Sequence, residues 1–385
     1  MTAVAVVAGI AAALLLLAWV LYPGLVVLLA RVVGRPERTA APGSPLPSVT
    51  CVLATRDAAP TVADRVADFL ASEYPPHLLS VVVAVDATAP EVLEALNDLR
   101  GARGGPLADE RVEVVAGDAP GGKCPALNAG VRRATGELLA FSDSRQRFEP
   151  ATIQRLAAAL LSEPRLGATS GRLLLPRDER SSIFRHYLRF ELAIRRAESR
   201  LHSAVGVSGS VYAMRRALWR PLPSGLILDD VYVPMKLVLD GWRVGFVHEA
   251  IAHETRQVAP EQEYRRKVRT LTGNFQLCAW LPGVLVPGRN PIWVQFVCHK
   301  LLRLATPWCA IAVALASGVW ILRAAGNTAI WLVGAALLGA VWIAIGRDVV
   351  ARKLRGAVVQ VGALQAAAAT ATINGIRGRW DVWKA

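Results

Sequence analysis

Aromatic residues make up only 6% of this 385-residue chain, although its formal net charge is +14. A nucleic-acid surface interleaves basic residues with aromatics on which bases stack, so this scarcity argues against such a partner. Positive-inside loops and anionic lipid explain the charge without further ingredients. Cysteine is sparse too. Cys51, Cys124, Cys278, Cys298 and Cys309 form no CxxC pair and no metal-ligand spacing, which reads as free thiols on the reducing side of a membrane. Residues 1–30 lack charge altogether, and Arg31, Arg35 and Arg38 follow at once. A cleaved signal peptide has a basic start and an apolar core of roughly 7–15 residues. This segment has neither, so an uncleaved anchor is expected, with a kink at Pro23-Gly24.

Apolar residues, in contrast, are plentiful. They make up 53% of the chain, and the mean hydropathy is +0.36, which fits a mixed membrane and soluble protein. Two uncharged runs, 304–322 and 324–346, are separated by Arg323 and read as a transmembrane hairpin within 305–346, each arm long enough for a helix of ~20 residues. Residues 292–304 mix Trp293, Phe296 and Leu301 with His299, Lys300 and Arg303. They read equally as an amphipathic interfacial helix and as the start of the next span. A last uncharged run, 356–376, either spans or lies against its neighbours. The positive-inside rule puts residues 31 to about 290 in the cytoplasm, on an integral protein expected in the plasma membrane.

After a Pro-rich linker (34–48) the period changes. Short β-branched runs at 49–54, 79–85, 112–115 and 138–141 alternate with helix-period segments such as 63–71 and 91–99. That order predicts an α/β fold with a mostly parallel sheet over residues 49–285, its ligands beyond the carboxyl ends of the strands. Asp57, Asp86 and Asp143 fall at three such ends. Any one alone is more often a turn residue or helix cap; together they favour a site. Asp229-Asp230 precedes a helical run and reads either as an N-cap or as a catalytic pair. Arg266 and Arg269, three apart on a helix expected from Glu261, share a face.

In order and spacing these pieces resemble the membrane-integrated family-2 glycosyltransferases, relatives of the hyaluronan, cellulose and poly-N-acetylglucosamine synthases. The landmarks are Ala54-Thr55-Arg56-Asp57, Val85-Asp86-Ala87-Thr88, Gly122-Lys123 followed by Ala126-Leu127-Asn128, Ala140-Phe141-Ser142-Asp143, Ser208-Gly209-Ser210, Asp229-Asp230, Arg266-Lys267-Val268-Arg269 and His299-Lys300-Leu301-Leu302-Arg303. The resemblance implies a cytoplasmic GT-A fold that transfers sugar with inversion from a nucleotide-sugar, usually a UDP-sugar, to a glycan or lipid-linked acceptor, as in polysaccharide biosynthesis of the cell envelope. It assigns Thr55, Asp57 and Asp86 to the nucleoside, Lys123 and Arg266 to the diphosphate side, and Asp143 to Mg²⁺ or Mn²⁺. Ser208, Gly209 and Ser210 would line the acceptor approach. Asp230 would be the general base, Asp229 its support, and Arg269 the cation facing the departing diphosphate.

The family more often has Asn-Glu where this chain has Thr55 and Asp57, and Gln where it has Arg266; two further departures bear on the chemistry. Arg145 stands where the Asp-x-Asp motif has its second carboxylate, so the metal rests on Asp143 alone or Arg145 itself neutralises diphosphate charge. Thr270 stands where the Gln-x-x-Arg-Trp motif has tryptophan, the floor of the acceptor site in long-chain synthases, which points to another acceptor or to weak processivity. Three readings stay open beside polymer synthesis: single transfer to a lipid or polyprenyl phosphate, a nucleotidyltransferase, and a catalytically silent scaffold on anionic lipid.

Overall fold

A computed structural model describes residues 2–37, 45–101, 105–176, 182–255, 260–324, 338–346 and 348–382. An uncharged apolar segment in lipid can satisfy its backbone only internally, and the N-terminus accordingly forms α1 (Thr2–Leu16) and α2 (Tyr22–Val32), joined by a π-helical turn at Leu17–Leu21. The run Ala3–Val32 is long and apolar enough to cross a membrane. Its irregularity falls in the turn just before Pro23, where the ring has no N–H for the preceding turn. Of the expected linker 34–48, residues 38–44 lie outside the described residues.

Strands and helices then alternate. β1 (Val49–Thr55), α3 (Ala59–Leu70), β2 (Leu79–Val85), α4 (Pro90–Gly101), β3 (Val112–Ala116), α5 (Lys123–Arg133) and β4 (Leu138–Ser142) form the first half. β5 (Gln146–Phe148), α6 (Thr152–Ser162), β6 (Leu166–Leu174), α7 (Ser182–Leu201), β7 (Tyr212–Arg215), α8 (Asp229–Leu239), β8 (Arg243–Glu254) and α9 (Pro260–Trp280) complete it. The sheet runs β3-β2-β1-β4-β7-β6-β8-β5. β1 pairs parallel with β2 and β4, β2 with β3, and β6 with β8. β7 is antiparallel to both β4 and β6, and β5 to β8. The expected parallel sheet is thus the first half, and the second half is mixed.

Strand composition explains the layering. Cys51 and Leu53 of β1 pack with Val62, Val66 and Phe69 of α3 and with α6 on one face. Val52, between them, points the other way, to Leu127 and Val131 of α5. A strand buried on both faces reads as a continuous apolar run, which is what Val-Thr-Cys-Val-Leu-Ala supplies. α5 sits close on the sheet because Gly130 has no side chain; a Cβ there would come within 2.9 Å of Val52 Cγ1 and 3.2 Å of Ala84 Cβ.

Beyond the sheet come α10 (Trp293–Phe296), a π-helical turn at Val297–Leu301, α11 (Leu302–Leu304), α12 (Thr306–Ala324) and α13 (Val349–Ile376). The helix Trp293–Leu304 meets Thr306–Ile321 at a bend of 57°, so the chain turns between the amphipathic segment and the apolar run behind it. The second arm of the expected hairpin lies largely in 325–337, outside the described residues. The run 356–376 belongs to one continuous helix, of which Val350–Ile376 is long and apolar enough to span. α12 packs on α1, and α13 on α9.

Because the Gly130 contact sets how near α5 lies to β1 and β2, Gly130→Val should overpack it and destabilise the fold by about 1–3 kcal/mol. Thermal unfolding of the detergent-purified variant, read against wild type, checks this.

Candidate active site

β2, β1 and β4 are neighbours in the sheet, so the residues just past their carboxyl ends emerge side by side. Asp86 follows β2 directly. Its Oδ1 accepts from the backbone N–H of Gly122 at 2.8 Å and from the N–H and hydroxyl of Thr88, both at 3.0 Å. Burial raises the proton affinity of this carboxyl, but the three donors outweigh it and leave the pKa below the usual value. The same oxygen explains the glycines of the loop. Gly121 and Gly122 have φ of 95° and 101°, and a Cβ on Gly121 would stand 2.8 Å from Asp86 Oδ1 and 2.6 Å from Thr88 Cγ2. Asp86 therefore holds the turn from which α5 starts, with Lys123 as its first residue.

Lys123 is the hub of the site. Its Nζ lies 3.3 Å from Asp143 Oδ1 at the end of β4 and 3.2 Å from Asp229 Oδ2 at the start of α8. Burial disfavours the ammonium, yet Asp143, Asp229 and Asp230 raise its pKa well above the ordinary lysine value. Asp143 answers in kind. Desolvation pushes its pKa up, while Lys123, the Ser210 hydroxyl donating to Oδ2 at 3.0 Å, and Arg266 pull it below the normal range. Asp230 goes the other way: burial and the adjacent Asp229 raise it, with Lys123, Arg195 and Lys300 opposing. Gly209 makes room here, since a Cβ would approach Asp230 Cβ to 3.3 Å and Lys123 Nζ to 3.7 Å.

Arg266 and Arg269 both face this cluster from α9. Burial lowers the proton affinity of Arg269, against Asp230 and Asp229, which support its charge. Lys123, Asp143, the Ser208–Ser210 turn, Asp229, Asp230, Arg266 and Arg269 all line one cavity of 1370 Å³. Thr55, Asp57 and Asp86 are not among its lining residues. Thr55 Oγ1 accepts from the Asp57 N–H at 3.0 Å, and the Asp57 carboxylate accepts from Ser144 and Arg145. The residue replacing the second carboxylate of Asp-x-Asp is thus ion-paired to a neighbour at the end of β1.

Arg65 was not visible as a site residue. Its guanidinium is sandwiched between Phe69 and Phe148, 3.8 and 4.0 Å from the ring centroids, and donates to Ser142 Oγ at 2.9 Å. Ser142 in turn donates to the Asp143 carbonyl at 3.0 Å, so Arg65 braces the turn that carries Asp143. The available signal was an arginine on the apolar face of α3, three residues after Val62 and four before Phe69. His248 contacts Arg172 and His253 contacts Glu149.

No group of three or more His, Cys, Asp or Glu able to hold a metal occurs among the described residues. Mg²⁺ bound with a nucleotide needs only one or two carboxylates when phosphates supply further oxygens. Asp143, its side chain 41% exposed, presents one such hard ligand to the cavity, and the donor set fits on those terms.

A glycosyltransferase of GT-A type is the class that this sheet fits. A family model described as Glycosyltransferase like family 2 matches residues 47–273, more than half of the chain, and the chain belongs to that family. Among the solved structures it resembles is a mannosyltransferase from Pyrobaculum calidifontis in complex with GDP-Man and Mn²⁺, at 21% identity and a TM-score of 0.71, covering 97% of this chain and 99% of that one. That likeness extends the shared fold through the helices at both ends. No curated protein matches the chain.

Stability should carry the mark of Asp230. Its pKa is raised in the folded state, so the native state holds more protons than the unfolded chain between the two pKa values, and stability falls as pH rises through that window. Asp230→Asn removes this penalty. Its Tm should exceed that of wild type at pH 7, and the gain should vanish below the unfolded aspartate pKa of about 3.9. Melting curves of both proteins across pH check the sign.

Proposed function

We propose that this protein is an inverting membrane glycosyltransferase. It would move a sugar from a nucleotide-sugar to a glycan or lipid-linked acceptor at the cytoplasmic face of the plasma membrane. The observation that carries the reading is the junction of two halves at Lys123: Asp143 from the strand end that would face the diphosphate, and Asp229-Asp230 from the helix that would face the acceptor. Asp86, Asp57 and Thr55, at neighbouring strand ends, are the groups for the nucleoside. Asp86 Oδ1 is committed to its own loop, so the base would find Oδ2.

In the proposed reaction the acceptor hydroxyl attacks the anomeric carbon from the side opposite the leaving group. Its proton passes to the Asp230 carboxylate as the new C–O bond forms. The bond from the anomeric carbon to the phosphate oxygen breaks, and its electron pair leaves with the nucleoside diphosphate. Burial and Asp229 make Asp230 a stronger base than an ordinary aspartate. Arg269 and Lys123 would face the charge that develops on the leaving diphosphate. Mg²⁺ or Mn²⁺ held by Asp143 would supply further positive charge to the phosphates.

The resemblance to polysaccharide synthases favours a UDP-sugar, whereas the mannosyltransferase of like fold was solved with GDP-Man. The test is release of nucleoside diphosphate by the detergent-purified chain from UDP- and GDP-sugars, with Mg²⁺, Mn²⁺ or EDTA. One donor should turn over, and Asp230→Asn should lower the rate by ~10²–10⁴. Turnover that survives Asp230→Asn would refute the assignment of the base, and no turnover with any donor would refute the transferase reading.

A further inference from the structure

The cavity continues past Asp230. Its far wall carries Arg195 of α7, Lys300 of the π-helical turn and Arg303 of α11, and it is closed by Trp19 of the N-terminal membrane helix and by Leu364 and Ala368 of α13. Its volume of 1370 Å³ exceeds the ~300–1,000 Å³ usual for a single small ligand. There is room for a second substrate beside the donor.

The charges on this wall are unevenly matched. Glu191 accepts from Arg303 and lies 3.1 Å from His299 Nε2; Glu198 takes His299 Nδ1 at 2.8 Å and the Tyr22 hydroxyl. Glu191 is thereby engaged through both oxygens, and Glu198 through Oε1 alone. Arg195 and Lys300 make no direct hydrogen bond or ion pair among the described residues, although Glu191 and Glu198 act on Lys300 through space. The Arg303 side chain is only 10% exposed, stacked on Trp19 at 4.7 Å, and its Nε and Nη2 are buried without an acceptor. Gln365 Oε1 on the α13 wall and Glu198 Oε2 are buried acceptors without a donor among the described residues. Buried donors without acceptors are rare and call for a reason. A π-helical turn in the backbone that presents Lys300 is a feature frequent at functional sites. Both Arg195 and Lys300 are near enough to Asp230 for their charge to act on it.

We infer that Arg195, Lys300 and Arg303 form an anion subsite for the phosphate of a lipid-linked acceptor, whose hydrocarbon lies against Trp19, Leu364 and Ala368. The inference rests on the transferase reading above and names its acceptor class. Three cations with free N–H groups suit a phosphate oxygen cluster. Walls drawn from two helices of membrane-crossing length suit an isoprenoid or acyl chain, not a free polyanion. The subsite adjoins Asp230, so a bound phosphate would bring the acceptor's reacting oxygen to the base.

The test is isothermal titration of the full chain in detergent with citronellyl phosphate, citronellol and inorganic phosphate. The phosphate ester should bind, and both controls should bind at least about tenfold more weakly. Lys300→Gln and Arg195→Gln should each weaken the ester about tenfold, and Lys300→Arg should restore it. Equal binding of citronellol, or binding unchanged in the glutamine variants, would overturn the subsite. Inorganic phosphate binding as tightly as the ester would leave a free-anion site and overturn the lipid. Displacement of the ester by nucleoside diphosphate alone would give the cations to the donor and overturn the assignment too. Donor turnover is read in the same preparation. Its absence beside Lys300-dependent binding would sink the transferase reading and spare the subsite, and turnover without such binding would do the reverse.

Discussion

Everything in the site is referred to one ammonium group. Lys123 joins Asp143 on β4 to Asp229 on α8, two elements separated by more than eighty residues of chain, at 3.3 and 3.2 Å. A cation drawn out of water is costly unless opposite charges surround it, and three aspartates do so here. Those aspartates would repel one another without it. The position of Lys123 depends in turn on Asp86, which holds Gly122 and so fixes the first turn of α5, and on Gly130, which lets α5 lie close on the sheet. A backbone requirement at two glycines, one carboxylate and one close contact thus decide where the charge sits.

Much of this arrangement was legible in the sequence. The alternation of β-branched runs with helical segments gave the sheet's first half, and the strand ends carrying Asp57, Asp86 and Asp143 do lie side by side. The i,i+3 spacing of Arg266 and Arg269 put both on the face of α9 that meets the cavity. What escaped was long-range pairing. Arg145 looked like a replaced metal ligand, but its partner Asp57 lies eighty-eight positions earlier and no local pattern marks the pair. Arg65 sat in plain view on an apolar helix face; Asp68 and Phe69 beside it are local, but the Phe148 ring and the Ser142 hydroxyl that complete its surroundings lie far along the chain. The antiparallel insertion of β7 between β4 and β6 has the same origin: strand order is set by packing between distant segments, not by period.

The N-terminal apolar helix is bound to α7 by polar contacts as well as by apolar ones. Tyr22 of the N-terminal helix donates to Glu198 on α7, and His299 bridges Glu198 and Glu191. Tyr22, Val26 and Ala30 pack with Ile194, Ala197 and Cys298 around that network. Buried carboxylates of this kind fix one geometry, because a shifted helix would leave a charge unpaired. The second consequence is local. Glu191 pairs with Arg303, while Arg195 and Lys300 beside it line the cavity near Asp230 with no direct ion pair among the described residues.

The account stands or falls on Lys123 as the group that receives the diphosphate. Calorimetric titration of UDP and GDP, with Mn²⁺, into wild type and Lys123→Met tests it directly, with uridine and guanosine as ligands lacking phosphate. One diphosphate should bind wild type and lose at least about tenfold in affinity in Lys123→Met, the effect of removing a charge-assisted contact, while the matching nucleoside is unaffected. Equal diphosphate affinity in the two proteins would show that Lys123 only braces the aspartates, and the proposed donor geometry would be wrong.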